Sequence, residues 1–241
     1  MQNEIEVLKM QLFFTEDIES DICTLNEEES KHCVRVLRMG VGDELYLTDG
    51  KGTLCRCRII DAHPKSCSVE VVERTADYGR RPYRLHIAVA PTKNTARLEW
   101  FVEKAVEMGV DEITPIVCDH SERCVLKRER MEKIIVSAMK QSLKALQPVF
   151  TAPTPIRELI SSPFDGQKFI AYCDGDNRTP LHSAYTPGSN ALILIGPEGD
   201  FSHDEVKLAL AAGFIPVTLG NSRLRTETAA MAATAFFNLV N

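Results

Sequence analysis

The residue types best suited to chemistry in this chain cluster near its C-terminus, in Leu224-Arg225-Thr226-Glu227-Thr228-Ala229. Arg225 and Glu227 stand between hydroxyls where an apolar helix begins (Ala229, Ala232, Ala233, Phe236, Phe237). Thr226 is suited to cap that helix, and Glu227 in its first turn complements the helix dipole. Arg225 has no comparable structural role. A guanidinium beside a glycine-lined turn binds an anion or stabilises developing negative charge. Two such turns precede it, Ile195-Gly196-Pro197-Glu198-Gly199 and Leu219-Gly220-Asn221. The three loops are expected to form one pocket. No Gly-Lys-[Ser/Thr] follows the first turn and no GxGxxG is present, which argues against a P-loop nucleotidase and an ordinary nicotinamide dehydrogenase.

Further cations are spaced for phosphate. His32, Arg35 and Arg38 lie in Lys31-His32-Cys33-Val34-Arg35-Val36-Leu37-Arg38-Met39-Gly40. Paired arginines one helical turn apart form either a solvated face or a phosphate clamp, and spacing alone leaves both open. Lys93 and Ser121-Glu122-Arg123 each follow a strand pattern, at the edge where α/β proteins bind ligands. Lys127, Arg128 and Arg130 read as a helix face. The eight cysteines contain no CxxC pair, and Cys55-x-Cys57 places both thiols on one face of a strand. Free thiols in a reducing compartment are the expectation. The six histidines show no HxH or HxxxH spacing, so no metal site is expected.

The elements that must position these residues fall into two patterns. Over residues 1–73, short strands at Glu44–Leu47, Leu54–Ile60 and Cys67–Val72 alternate with Gly and Pro turns, which suggests a small β-barrel. One helix is expected within it, Asn26 to Leu37, opened by Glu27, Glu28 and Glu29. The polar run Arg74 to Arg84 reads as a linker, placed at 74–83. Over 84–241, strands at Leu85–Ala90, Ile113–Val117, Lys168–Cys173, Ala191–Ile195 and Pro216–Leu219 alternate with helices at Ala96–Met108, Glu129–Leu146, Ser202–Ala212 and Glu227–Val240. That alternation predicts an α/β domain with a parallel sheet. Ser202 with Glu205 is a capping box.

The chain has 241 residues and a net charge of -6, which excludes a wholly basic nucleic-acid coat but not a local basic face. No apolar run approaches the roughly 20 residues that span a bilayer. The N-terminus lacks a secretory pattern, so a cytoplasmic protein with no membrane association is expected.

Taken together, the segments resemble the bacterial 16S ribosomal RNA uracil-N3 methyltransferases of the knotted (SPOUT) class. The resemblance is carried by His32-x-x-Arg35-Val36-Leu37-Arg38-Met39-x-x-Gly42, Lys104-x-x-Glu107-Met108-Gly109-Val110, Ile113-x-Pro115 and Ser121-Glu122-Arg123. It continues through Gln141-Ser142, Leu194-Ile195-Gly196-Pro197-Glu198-Gly199-x-x-Ser202, Leu219-Gly220 and Leu224 to Ala229. It implies a PUA-like RNA-binding β-barrel before an α/β domain with a trefoil knot, and a homodimer. It also implies S-adenosylmethionine as cofactor, held at Ile195, Gly196, Glu198, Gly199, Leu219, Gly220, Leu224, Thr226 and Ala229. Arg225 would be the catalytic residue, with Glu198 or Glu227 accepting a proton. His32, Arg35, Arg38 and Arg123 would grip 16S ribosomal RNA, free or in the 30S subunit.

Three departures from the family pattern stand out. Asp200 replaces a usual glycine, Asn221-Ser222-Arg223 replaces Pro-Arg-aliphatic, and Lys144 replaces an arginine. Two alternatives remain at this level. One is a knotted RNA methyltransferase acting on a ribose 2′-hydroxyl or another base; the other is a non-catalytic RNA-binding assembly factor.

Overall fold

The computed structural model describes residues 10–173 and 178–241. The chain divides into two compact units. The first comprises Met1–Arg80 with Val136–Gln147, and the second Arg81–Ile135 with Pro148–Asn241.

The first unit is built on five strands: β1 (Leu12–Phe14), β2 (Ile22–Thr24), β3 (Glu44–Thr48), β4 (Leu54–Asp61) and β5 (Ser68–Thr75), in the order β1-β3-β4-β5-β2. Pairing is antiparallel except between β1 and β3. Register shifts at Arg56/Cys57 and Ile59/Asp61 mark bulges in the β4–β5 ladder, and bulges bend a sheet. The result is a curled half-barrel, whose edges β1 and β2 do not pair with each other. Its core holds Phe13, Leu45, Leu47, Ile59 and Val69, with Cys55 and Cys57 both inward, as the period of two requires. Cys23, Cys33 and Cys67 complete the buried thiols of this unit.

Two sequence expectations fail here for identifiable reasons. β5 runs through Thr75, so the linker does not begin at residue 74. Arg74 is fastened to Asp21 and to the carbonyls of Ile18, Glu19 and Ser20. Nor is Asn26–Leu37 one regular helix. α1 (Glu27–Lys31), capped by Asn26 accepting from the Glu29 amide, gives way to a π-turn over His32–Val36. There the Leu37 amide reaches back to His32 O, and the Met39 amide to Cys33 O.

In the second unit the strands are β6 (Leu85–Val89), β7 (Glu112–Val117), β8 (Val149–Phe150), β9 (Thr154–Pro155), β10 (Gln167–Ala171), β11 (Thr179–Pro180), β12 (Ala191–Ile195) and β13 (Ile215–Thr218). They run β11-β13-β10-β12-β6-β7-β8, with β9 beside β7, and every pairing is parallel. β6 and β12 are buried throughout, as aliphatic strands covered on both faces must be. The helices are α2 (Thr95–Met108), α3 (Arg128–Gln141), α4 (Ile156–Ser161), α5 (Leu181–Ala184), α6 (His203–Ala211) and α7 (Thr226–Val240). Gly109 closes α2 in the left-handed conformation, φ 88°.

The division between units runs through α3. This helix ends at Gln141, short of the predicted Leu146. Ser142 Oγ bonds back to Ala138 O at 2.7 Å, and Leu143 turns left-handed at φ 55°. The residues beyond serve the first unit: Ala145 O accepts from Gly52 N and Thr48 Oγ1. Lys140 pairs with buried Glu29 in the same unit.

Candidate active site and RNA-binding face

A cavity of about 320 Å³ opens in the second unit. Its walls come from the carboxyl ends of β10 and β12 and from the turn into α7: Ala171 and Cys173, Ile195 to Glu198 with Asp200, and Arg223 to Thr226 with Ala229. Parallel sheets place their ligand sites at this edge. The expected Ile195, Gly196, Glu198, Leu224, Thr226 and Ala229 are therefore gathered there with Arg225. Gly199 is not in the cavity wall. Leu219 and Gly220 line a second cavity of about 250 Å³, with Leu181, Ala232 and Phe236. The single three-loop pocket expected from the sequence is thus two cavities in the structure.

The turn after β12 is held from every neighbouring loop. Thr226 Oγ1 donates to Gly196 O at 2.9 Å, in a buried bond. This corrects its expected role, because the N-cap of α7 is Arg225 and no side chain caps it. The Lys93 amide donates to Glu198 Oε1 at 3.1 Å. His120 Nδ1 lies 3.1 Å from Gly199 O and 3.0 Å from Asp200 O. Carbonyls only accept, so Nδ1 carries the proton. Asp200 accepts from the Cys173 amide at 2.7 Å and the Phe201 amide at 2.9 Å. Glycine at 196 and 199 suits tight packing: a Cβ would come within 3.1 Å of the Phe201 ring and 3.1 Å of His120 Cβ, respectively, and the neighbour would have to give way slightly. The capping box is present as read, Ser202 Oγ accepting from Glu205 N and Glu205 from Ser202 N.

Among the described residues, the charged ones lining the cavity are Glu198, Asp200, Arg223 and Arg225. Neither arginine has a hydrogen-bond or ion-pair partner among the described residues. Most other arginines of this unit are engaged: Arg81 with Asp111, Arg84 with Glu112, Arg97 with Glu227, Arg128 with Glu132, Arg130 with Glu99 and Arg157 with Asp119. Burial raises the pKa of the Cys173 thiol, the Asp200 carboxylate adds to the rise, and Arg223 opposes it. Sequence reading missed Ala171, Cys173 and Arg223. Of these Arg223 carried a signal, as a departure from the family pattern, and so did Asp200, which the sequence had not placed in the wall either.

Glu227 stands in the first turn of α7, as expected, and is buried. Its Oε1 lies 3.7 Å from Arg97 Nε, and its Oε2 has no partner among the described residues. The predicted cationic rim is only partly realised. Arg123 donates to Lys93 O at 3.2 and 3.3 Å, while Lys93 Nζ pairs with Glu122 at 2.9 Å.

In the first unit, His32, Arg35 and Arg38 are all exposed on or beside the π-turn. Arg38 sits at φ 57°, left-handed for a side-chain-bearing residue. Arg56, Arg58, Arg74 and Arg80 in this unit pair with carboxylates. Arg35 and Arg38 do not, among the described residues.

Residues 79–238 match the family description of an RNA methyltransferase domain, and residues 25–72 that of an RNA methyltransferase PUA domain. The chain belongs to this family of RNA methyltransferases. Among solved structures it is similar to one described as a probable rRNA-methyltransferase from Porphyromonas gingivalis, at 47% identity and a TM-score of 0.89, over 96% of this chain and 98% of that one. It also resembles a ribosomal RNA small subunit methyltransferase E from Neisseria gonorrhoeae bound to S-adenosyl methionine, at 27% identity and a TM-score of 0.83, over 95% of this chain and 97% of that one. The ribosomal RNA small subunit methyltransferase E of Bacillus subtilis is 27% identical over 95% of this chain and 92% of its own length. Methyltransferase family membership sets aside the non-catalytic reading. No group of His, Cys, Asp or Glu suited to a metal ion occurs among the described residues, and no described helix is long and apolar enough to cross a membrane.

Proposed function

We propose that this chain methylates N3 of one uridine in 16S ribosomal RNA, using S-adenosylmethionine. The observation that carries the reading is the cavity at the carboxyl edge of the parallel sheet, with Arg225, which has no partner among the described residues, in its wall. The donor set fits the cofactor. Ile195, Leu224, Ala171 and Ala229 offer an apolar bed, Gly196 admits close backbone approach, and charges of both signs lie alongside. When bound, S-adenosylmethionine supplies a sulfonium methyl group open to displacement by a nucleophile.

The residues of the chain do the rest. The braced turn Gly196–Asp200 fixes the wall against which the reactants must align, so positioning supplies much of the acceleration. N3 of uracil carries a proton, and its loss spreads negative charge onto the ring oxygens. Arg225, with no ion-pair partner among the described residues, stabilises that charge. Glu198 is the better proton acceptor of the two carboxylates, because it lines the cavity and Glu227 does not. N3 lies on the Watson–Crick edge, so the uridine reacts unpaired or swung out. His32, Arg35, Arg38 and Arg123 bind phosphates. A homodimer in the cytoplasm acting on the 30S subunit, with the knot the family implies, completes the proposal. Insertion of β12 between β10 and β6, with β13 beyond β10, supports such a crossing.

Labelled methyl transfer to 30S subunits lacking the modification, with mass mapping of the product nucleoside, tests the function. N3-methyluridine at one site is the expected product, and 2′-O-methylation would overturn the position. In the same assay Arg225→Ala is expected to lower kcat by roughly 100-fold or more while cofactor affinity changes little. Full turnover in that variant would remove Arg225 from the chemistry.

A further inference from the structure

Asp200 is a side-chain-bearing residue in left-handed backbone, φ 62°, in the wall of the cavity. Such a conformation persists where the surroundings over-determine it, and it concentrates at functional sites. Here the surroundings do so from three sides. The carboxylate takes the Cys173 amide from the loop after β10 and the Phe201 amide from its own turn. The carbonyl takes the His120 Nδ1 proton from the loop after β7. Its amide closes the turn on Pro197 O at 2.9 Å. A glycine would meet the backbone demand without strain, so the turn itself does not call for a carboxylate.

Charge supplies the reason. Arg223 and Arg225, neither with a hydrogen-bond or ion-pair partner among the described residues, line the same cavity. With Glu198 as the sole counter-charge among the described lining residues, their sum would be net positive, which disfavours a cationic ligand. Asp200 restores balance among these residues, and its two amide bonds hold the carboxylate in place.

We infer that Asp200 is a specificity-determining residue that makes the cavity favour a positively charged sulfonium ligand over the neutral thioether left after methyl transfer. The inference rests on the proposed cofactor. Both ligands carry the same adenosine and amino-acid groups, so the sulfonium charge is the property that Asp200 distinguishes. The same discrimination weakens retention of the product and speeds its release.

Isothermal titration of S-adenosylmethionine and S-adenosylhomocysteine into wild type and Asp200→Asn tests this. Asparagine tolerates left-handed backbone and keeps one of the two acceptor oxygens, so one of the bonds from the Cys173 and Phe201 amides is kept and the other is lost. The ratio of the two dissociation constants is expected to move on the order of tenfold against S-adenosylmethionine, with little change for S-adenosylhomocysteine. A brace that only shaped the wall would weaken both ligands equally, and an unchanged ratio overturns the inference while leaving the cofactor reading intact. Failure of wild type to bind either ligand overturns both. Asp200→Gly, which accepts the backbone outright, is expected to move the ratio the same way and provides the measurement if the asparagine variant does not fold.

Discussion

Thr226 shows what a single residue contributes when strand order brings distant loops together. Its hydroxyl is buried and bonded to Gly196 O, thirty residues earlier in the chain. Thr226→Val keeps the shape and leaves that carbonyl without its donor. An orphaned buried acceptor costs about 1–3 kcal/mol, so the variant is expected to unfold at lower urea and to bind cofactor less tightly. Thr226→Ser keeps the hydroxyl and is expected to recover most of both. Equal urea midpoints for valine and wild type would show that the bond is not stabilising. From sequence, Thr226 reads as a helix cap, because a cap needs only its own neighbours. The bond to Gly196 depends on β12 lying inside the sheet, which no local pattern states. Cys173 and Ala171 were illegible for the same reason. Arg225 was legible because a guanidinium at the mouth of a glycine-rich turn declares its chemistry by type.

At the scale of elements, the long aliphatic strands and, apart from the C-terminal end of α3, the amphipathic helices were read within a residue or two, since period and burial agree in them. The two-residue strands β8, β9 and β11 carry too few side chains for a period. The π-turn after α1 was invisible because its sequence suits an α-helix equally well. One pair of neighbouring strands has a measurable pH signature. His86 on β6 is buried, and its Nε2 lies 2.8 Å from Thr114 Oγ1 on β7. Thr114 Oγ1 also accepts from Thr151 Oγ1 at 2.9 Å, and the direction of its bond with His86 follows the tautomer of the ring. Burial, aided by the Arg84 charge, lowers the His86 pKa from 6.5 to about 4. A histidine whose folded pKa is depressed gives stability that is lost as pH falls below 6.5, levelling off near 4. Between pH 7 and pH 5 the loss is expected to be roughly 2 kcal/mol. Glu112, its carboxyl raised by burial, works in the opposite sense as pH falls. Comparing urea unfolding of wild type with His86→Gln isolates the histidine, because glutamine preserves an acceptor and does not titrate. A slope that survives in the glutamine variant would assign it to other groups.

For the whole molecule, the instructive contrast is between a net charge of -6 and a family that acts on RNA. The sequence showed the charge and the arginine pair separately, but not which arginines were spoken for. That depends on side chains meeting across strands, as Arg56 meets both Glu44 and Glu73. Once such pairs are removed, Arg35 and Arg38 remain as cations of the first unit with no internal partner among the described residues. An ion-paired arginine must give up its carboxylate before it binds phosphate, whereas a free one need only release counterions from the RNA. The free pair should therefore dominate the salt dependence of binding. Each phosphate contact contributes about 0.7 to the slope of log K against log salt for single strands. The double variant Arg35→Ala, Arg38→Ala is expected to bind 16S RNA more weakly and to flatten that slope by about 1.4. Arg56→Ala with Arg58→Ala, removing two paired arginines, is expected to leave the slope nearly unchanged. Filter binding across a salt series reads both. If the second variant flattens the slope as much as the first, the RNA lies on the outer face of the β3–β4 ladder, and the π-turn is not the phosphate clamp.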